Sequence, residues 1–448
     1  MNTYLSANFA PVDAEITATD LPVSGELPKA LNGRYLRNGP NPMDIVGPDT
    51  HHWFLGDGMV HGIRLSEGRA AWYRNRYVGS DRVAAKLDRP ITGPNWSGGD
   101  AGANTNVGGF AGRTWAMVEG GGSPVELTYE LDTVARNDFF GTLPGAFTAH
   151  PKVDPTTGEM HAMVYAPGKW FDHVQYVVVG TDGRVRRTVD IPCGMTMMHD
   201  MSLTETYAIA YDFPVTVDLN LAMTGTRFPL RWNPDYGSRV GLLPREGNAD
   251  EIIWIDVPIC YAFHPLNAYD RADGTVVIDL CVYDRMFEHD IVGPFGDSLP
   301  RLERWEISPR LRKCSVTVID ESPQEFPRHA YLVGTKEHRF GYSAEVGRDR
   351  LGATIKHDLA NGNRSSYGYG PGRGAGEPVF VAREGATAED DGWLMTFAHA
   401  HDGSSASFVV LDAQDIERGP VAEVPLPQRV PYGFHGNWVG DRSVPPTP

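Results

Sequence analysis

Apolar residues in this chain recur mostly at every second position, in short runs broken by Asp-Gly turns, and this period of two fixes the fold class before any chemistry is considered. Residues 174–191, "VQYVVVGTDGRVRRTVDI", read as an apolar strand, an Asp-Gly turn and an alternating strand, which together make a hairpin. Residues 391–413, "DGWLMTFAHAHDGSSASFVVLDA", repeat the pattern with Asp402-Gly403 at the turn, and residues 272–284 and 153–165 show the same turn-then-strand order. Helical spacing is confined to "DRVAAKLD" near Ala84 and "TVDLNLAMTG" near Leu219. The 50 Gly and 34 Pro residues are spread along the chain, as expected of many short strands joined by turns.

A chain of 448 residues is long for a sandwich, whereas a propeller of seven four-stranded blades uses roughly 60 residues per blade. The fold class expected is therefore all-β, a seven-bladed β-propeller in a single domain spanning 1–448. Residues 1–30 are expected to be an N-terminal extension packing on a propeller core at about 31–440. No repeat of WD or kelch type is visible, so the blades must be degenerate in sequence. The glycine-rich stretch 363–378, "NRSSYGYGPGRGAGEP", runs directly into "VFVAREG" and reads as a long loop within the one domain. A propeller leaves few strand edges, which requires the last strand to close the ring against the first blade.

The formal charge of −17 argues against nucleic acid, whose phosphates need clustered Lys and Arg. Cys193, Cys260, Cys281 and Cys314 show no C-x-x-C spacing, so neither a zinc ribbon nor a redox pair is signalled. The first residues carry no basic and apolar leader pattern, and no run approaches 18 apolar residues. The expectation is a cytoplasmic protein with reduced thiols. No G-x-G-x-x-G follows a strand, which gives no sign of a flavin or NAD site.

Four of the fifteen histidines share a context: His150 in "FTAHPKVDP", His199 in "MTMMHDMSLT", His264 in "CYAFHPLNAYD" and His435 in "YGFHGNWV". Each follows an apolar or aromatic residue, precedes Pro, Asp or Gly, and stands at a strand-like terminus. They lie far apart along the chain, as ligands contributed by different blades to one axis would. Taken singly, a histidine beside aromatics is more often a hydrogen-bonded core residue, and the residues alone leave both readings open.

The segments "LNGRYLRNGPNP" (31–42), "HHWFLGDGMVHGIRL" (51–65), "AHPKVDPTTGE", "MMHDMSLTETYAIAYDFPV", "FHPLNAYD", "PQEFPRHAYLVG" and "FHGNWV" decide the matter. Together, in this order and over nearly the whole chain, they resemble the carotenoid cleavage oxygenase family, which also includes stilbenoid-cleaving dioxygenases and the retinoid isomerohydrolase. The resemblance implies a propeller with a helical dome over one ferrous iron held by His150, His199, His264 and His435. It also implies that Glu119, Glu325 and Glu377 accept hydrogen bonds from the rings of His199, His264 and His435, with His150 lacking such a partner. The chemistry agrees: a ligating imidazole needs its other N–H held, and buried carboxylates offset the charge of the ion. His51, His52 and His61 form a cluster around "GDG", but the family does not use them, and they are read as structural.

Four imidazoles and no ligating carboxylate differ from the facial triad of cofactor-dependent oxygenases. Two positions would stay open on an octahedral iron, one for O2 and one facing an alkene whose own electrons activate the O2. No flavin, NAD or 2-oxoglutarate would then be needed. The implied reaction is cleavage of a conjugated C=C bond into two carbonyls. The alternatives are a stilbenoid substrate on the same iron, a non-oxidative isomerase, and a propeller that only binds. Candidate walls of an apolar tunnel are Phe54, Val118, Met197, Phe263, Phe326 and Phe434. Stilbenoid-cleaving relatives carry Lys just before the first glutamate; Val118 stands there instead and favours an apolar carotenoid or apocarotenoid. Residues 212–232 are expected to form part of the dome, with peripheral membrane contact through the Phe213 to Trp232 region as the sharper reading. A monomer or weak oligomer is expected.

Overall fold

Seven antiparallel sheets of four or more strands, joined as blades, account for nearly all the strands of the computed structural model, which describes residues 2–96, 102–166 and 172–441. Five blades follow one another in chain order, each a simple up-and-down sheet. The first strands of neighbouring blades contact one another across the centre: Lys152–Val153 with Met201–Leu203, Met201–Leu203 with Pro265–Asp270, and Pro265–Asp270 with Gln324–Arg328. These inner strands therefore ring the axis.

The Asp-Gly turns fall where the period-two pattern places them. His173–Val179 pairs with Val185–Pro192 around Gly183 at φ +78°, and Gly392–Ala400 pairs with Ala406–Asp412 around Gly403 at φ +76°. Both glycines occupy the left-handed region that a Cβ disfavours.

Closure of the ring uses both ends of the chain. Gly436–Gly440 is the inner strand of the first blade, pairing with Gly33–Pro40 in the register Tyr35↔Trp438 and Arg37↔Gly436. Residues 1–30 contribute directly to two blades. Thr17–Leu21 is the outer strand of that same blade, and Ser24–Gly25 pairs with Pro420–Pro425 at the outer edge of the last one.

Stretch 363–378 is not a loop throughout. Asn363–Tyr367 pairs with Leu351–Asp358, and Arg373–Ala375 pairs with Gly392–Ala400. Its Gly and Ser content hides the strands, because ladder bonds come from the backbone and a partner strand supplies them whatever the side chains are.

Helix is scarce and sits where expected. Helix α1, Asp81–Leu87, is capped by the Ser80 hydroxyl, which accepts from the Val83 N–H. Helix α2, Leu219–Met223, is capped likewise by Asp218. It lies between Val215–Val217 and Leu230–Trp232, a separate two-stranded hairpin inserted into the third of the consecutive blades. Leu219, Phe228 and Leu230 of this insertion line the same cavity as His199, His264 and His435.

Several histidines away from the axis are buried and neutral. The ring of His161 meets the Tyr176 hydroxyl at 2.7 Å and a guanidinium nitrogen of Arg245 at 2.9 Å; burial first, then Arg245, lowers its pKa to about 4. His357 faces the Gln324 amide oxygen at 2.8 Å and is lowered by burial to about 4. Between about pH 6.5 and 4 the unfolded chain binds more protons at these sites than the folded one. Their contribution is thus complete above the unfolded value and lost as pH falls toward the folded one. The urea midpoint is expected to fall over that window, with each histidine accounting for up to about 3 kcal/mol. His161→Gln should flatten the slope. Equal wild-type midpoints at pH 7 and pH 4.5 would contradict this.

Candidate metal centre and substrate cavity

The four singled-out histidines occupy equivalent places in four blades, at or just before the start of an inner strand. His264 immediately precedes Pro265–Asp270 and His435 immediately precedes Gly436–Gly440, while His150 and His199 stand two residues before Lys152–Val153 and Met201–Leu203. The following Pro, Asp or Gly lets the chain turn from axis to strand. All four side chains are buried, and one nitrogen from each lies within 4.8 Å of every other.

The tautomers are set by what lies behind the rings. His264 Nδ1 is 2.6 Å from Glu325 Oε2, and His435 Nδ1 is 3.0 Å from Glu377 Oε1. His199 Nδ1 lies 2.8 Å from Glu119 Oε1, but at an angle outside hydrogen-bond geometry. A nitrogen facing a carboxylate carries the proton, so the other ring nitrogen presents a lone pair. His199 Nε2 and His264 Nε2 then face each other at 3.2 Å with no proton between them, and His150 Nε2 is buried with no hydrogen-bond partner. Lone pairs converging in a buried space repel unless a cation lies among them. Adjacent imidazole ligands on one ion, with metal–nitrogen bonds of about 2.1 Å, stand about 3 Å apart. The donor set fits a single metal ion.

Electrostatics point the same way. Burial, then the neighbouring rings, lowers His150 and His264 well below the ordinary histidine value, so both are neutral and able to donate lone pairs. Burial pushes Glu325 up to about 8 when no cation sits among the rings, and the charge of a bound ion would favour its carboxylate form. Burial also acts to raise Glu377, but Arg328, 3.5 Å away, and His435 outweigh it and hold the carboxyl below its usual range. His150 has no glutamate. Asp200 Oδ2 lies 3.9 Å from its Nδ1 and is instead paired with Lys152 at 2.8 Å.

A bulge aims one of these carboxylates. The pairing of Gln324–Arg328 with its neighbour slips between Glu325 and Arg328, and Phe326 takes a φ of +55°. The two consecutive side chains Glu325 and Phe326 thereby both reach the same cavity. Glu377 Oε2 also accepts from the Gly436 N–H at 2.8 Å, which ties the carboxylate to the closing strand. Glu377→Gln is expected to weaken metal affinity by about 10–100-fold while the fold stays intact, measured by chelator competition. An unchanged affinity would remove Glu377 from the account.

Above the rings lies a cavity of about 650 Å³. Phe54, Val118, Met197, Phe263, Phe326 and Phe434 all line it, together with His199, His264 and His435. Sequence reading missed Trp53, Thr105, Tyr165, Phe228 and Tyr283, which share the wall. Thr105 precedes the inner strand Asn106–Phe110 just as the histidines precede theirs, a positional signal that could have revealed it. His61 is buried against the Tyr73 hydroxyl at 2.8 Å, and His52 stacks on Phe228; neither joins the four-ring cluster.

The sequence and the fold are similar to those of known proteins. The retinal pigment epithelial membrane protein family profile matches residues 9–440. A carotenoid cleavage oxygenase of Mycobacterium tuberculosis is 44% identical over 98% of this chain and 97% of its own. The chain belongs to the carotenoid cleavage oxygenase family. A Crocus sativus carotenoid 9,10(9',10')-cleavage dioxygenase is 32% identical over 98% of this chain and 90% of its own. Among solved structures, a Pseudomonas brassicacearum lignostilbene dioxygenase superposes with a TM-score of 0.88 at 25% identity. The cobalt-substituted Synechocystis oxygenase ACO superposes at 0.85 and 26% identity, and each of these two comparisons covers 98% of both chains. As a member of this family the chain is an enzyme, a non-haem dioxygenase. Among the described residues no helix is long and apolar enough to cross a membrane.

Proposed function

We propose that His150, His199, His264 and His435 hold one Fe(II) and that the enzyme cleaves a conjugated C=C bond of a carotenoid or apocarotenoid with O2, giving two carbonyl products. The observation that carries this reading is the convergence of four buried imidazoles, with His199 Nε2 and His264 Nε2 only 3.2 Å apart and three of the rings lining an apolar cavity. Related proteins named as carotenoid cleavage dioxygenases, and a homologue that accepts cobalt, support it. Bound iron supplies O2 activation, with the electron-rich alkene as the electron source.

The protein's own residues bind, orient and exclude water. Phe54, Phe263 and Phe434 bury the polyene and hold a double bond over the rings. Their mutual edge-to-face packing fixes the shape of the slot: Phe54–Phe263 centroids are 5.7 Å apart and Phe54–Phe434 5.6 Å. Glu325 and Glu377 keep the rings of His264 and His435 in the ligating tautomer, and Glu119 stands 2.8 Å from His199 Nδ1 to serve the third. Val118 leaves the wall beside Glu119 without the cation that would seat a phenolate. Exposed Leu219 and Met223 on α2, beside the cavity opening, suit contact with a membrane from which an apolar substrate is drawn.

The second reading, a stilbenoid alkene, rests on the likeness to the lignostilbene dioxygenase. Incubating the iron-loaded enzyme under ¹⁸O2 with polyenes and stilbenes, and identifying products by mass, tests both. Labelled aldehydes from a polyene are expected. Turnover without O2 consumption would overturn the dioxygenase reading, and cleavage of stilbenes alone would overturn the substrate.

A further inference from the structure

The cavity differs sharply between its ends. Beside the histidines the wall is buried and several of its polar groups are engaged within the protein, the Trp53 indole nitrogen and Glu119 Oε2 being exceptions. The Tyr283 hydroxyl donates to Glu325, the Asn104 amide donates to the carbonyls of Phe54 and Gly56, and the Thr196 hydroxyl donates to the Phe213 carbonyl. At the far end Leu219 is 60% exposed and Met195 36%, so the cavity opens to solvent there. Arg227 stands at this opening, exposed, and the three residues that follow it, Phe228, Pro229 and Leu230, run on along the wall.

Among the described residues no ion pair or hydrogen bond engages the Arg227 guanidinium. Its electrostatic neighbour is His51, whose charged form it disfavours. An arginine on a protein of net charge −17 usually finds a carboxylate, and this one faces a bore lined by aromatic and aliphatic side chains. A guanidinium is always charged and presents a planar fork that matches a carboxylate with two parallel hydrogen bonds, or a carbonyl oxygen with one. A hydrocarbon end group gives it nothing.

We propose that Arg227 receives the oxygen-bearing terminus of the substrate, a carboxylate or carbonyl at the end of a polyene whose double bond lies over the histidines. This deepens the alkene-cleaving reading and rests on it for the identity of the chain in the cavity. The preferred substrate is then an already oxidised, shortened polyene rather than an unfunctionalised carotene. The span from Arg227 to the four rings acts as a ruler that fixes which bond along the polyene is presented.

The test is binding, read by quenching of the tryptophan emission, since Trp53 lines the cavity. Three polyenes of equal length, ending in carboxylate, aldehyde or methyl, are titrated into the metal-loaded wild type, Arg227→Met and Arg227→Lys. The wild type should bind the carboxylate on the order of tenfold more tightly than the methyl compound, with the aldehyde between them. In Arg227→Met that difference should vanish while the affinity for the methyl compound holds, and Arg227→Lys should restore part of it. No difference in the wild type, or an undiminished difference in Arg227→Met, overturns the proposal. The same ligands are then assayed for cleavage: end-group discrimination without turnover of any polyene would leave Arg227 as assigned and count against the alkene-cleaving reading alone.

Discussion

His264→Ala is expected to leave a folded protein that retains no metal and cleaves no alkene above background. The ring of His264 is held by Glu325 at 2.6 Å on one side and faces His199 at 3.2 Å on the other, so its removal both deletes a donor and strands a buried carboxylate. That carboxyl is already pushed up to about 8 by burial and can take up a proton instead of unfolding the blade. The matched control is His61→Ala. His61 is as deeply buried and contacts Tyr73, so its loss costs on the order of 1–3 kcal/mol of stability, yet it stands outside the four-ring group and the metal should stay. Metal content and thermal midpoint measured on both variants separate the two roles. Full metal occupancy in His264→Ala would refute the ligand assignment.

The second large effect concerns the ring itself. A chain ended after Leu426 keeps the strand Pro420–Pro425 but loses Gly436–Gly440, the inner strand of the first blade. It also loses the links that fasten the N-terminal segment: Arg429 donates to the carbonyls of Ala10 and Pro11, and the Asn8 amide donates to the Val430 carbonyl. The strand Gly33–Pro40 would then present an unpaired, wholly buried edge to water. The truncated protein is expected to aggregate, with no soluble monomer on size exclusion. A soluble monomer with native far-UV circular dichroism would show that closure is dispensable.

How much of this was legible in the sequence follows from where each signal resides. Strands announced themselves where an Asp-Gly turn separated alternating runs, as in the hairpin around Gly183, because turn chemistry and side-chain period are both local. The strand Asn363–Tyr367 and the N-terminal strands Thr17–Leu21 and Ser24–Gly25 were hidden, because their pairing is set by distant partners and their own patterns are weak. The four histidines were visible through their shared context, and the resemblance joined them. Apart from Phe54, the cavity wall was legible only next to the four ligand histidines and the glutamates. Trp53, Phe228 and Arg227 reach it from the first blade and the inserted hairpin, and no spacing along the chain links them to it. The angle between His199 and Glu119 was also beyond sequence, since it depends on how two blades sit against each other.

The most direct test of the account is metal analysis of the full chain purified anaerobically under reducing, iron-replete conditions, with ferrous binding followed by spectroscopic titration. The account predicts one iron per chain, bound through nitrogen donors, and its loss when any one of His150, His199, His264 or His435 is replaced. Protein that is folded, takes up no transition metal, and is unchanged by those replacements would contradict it.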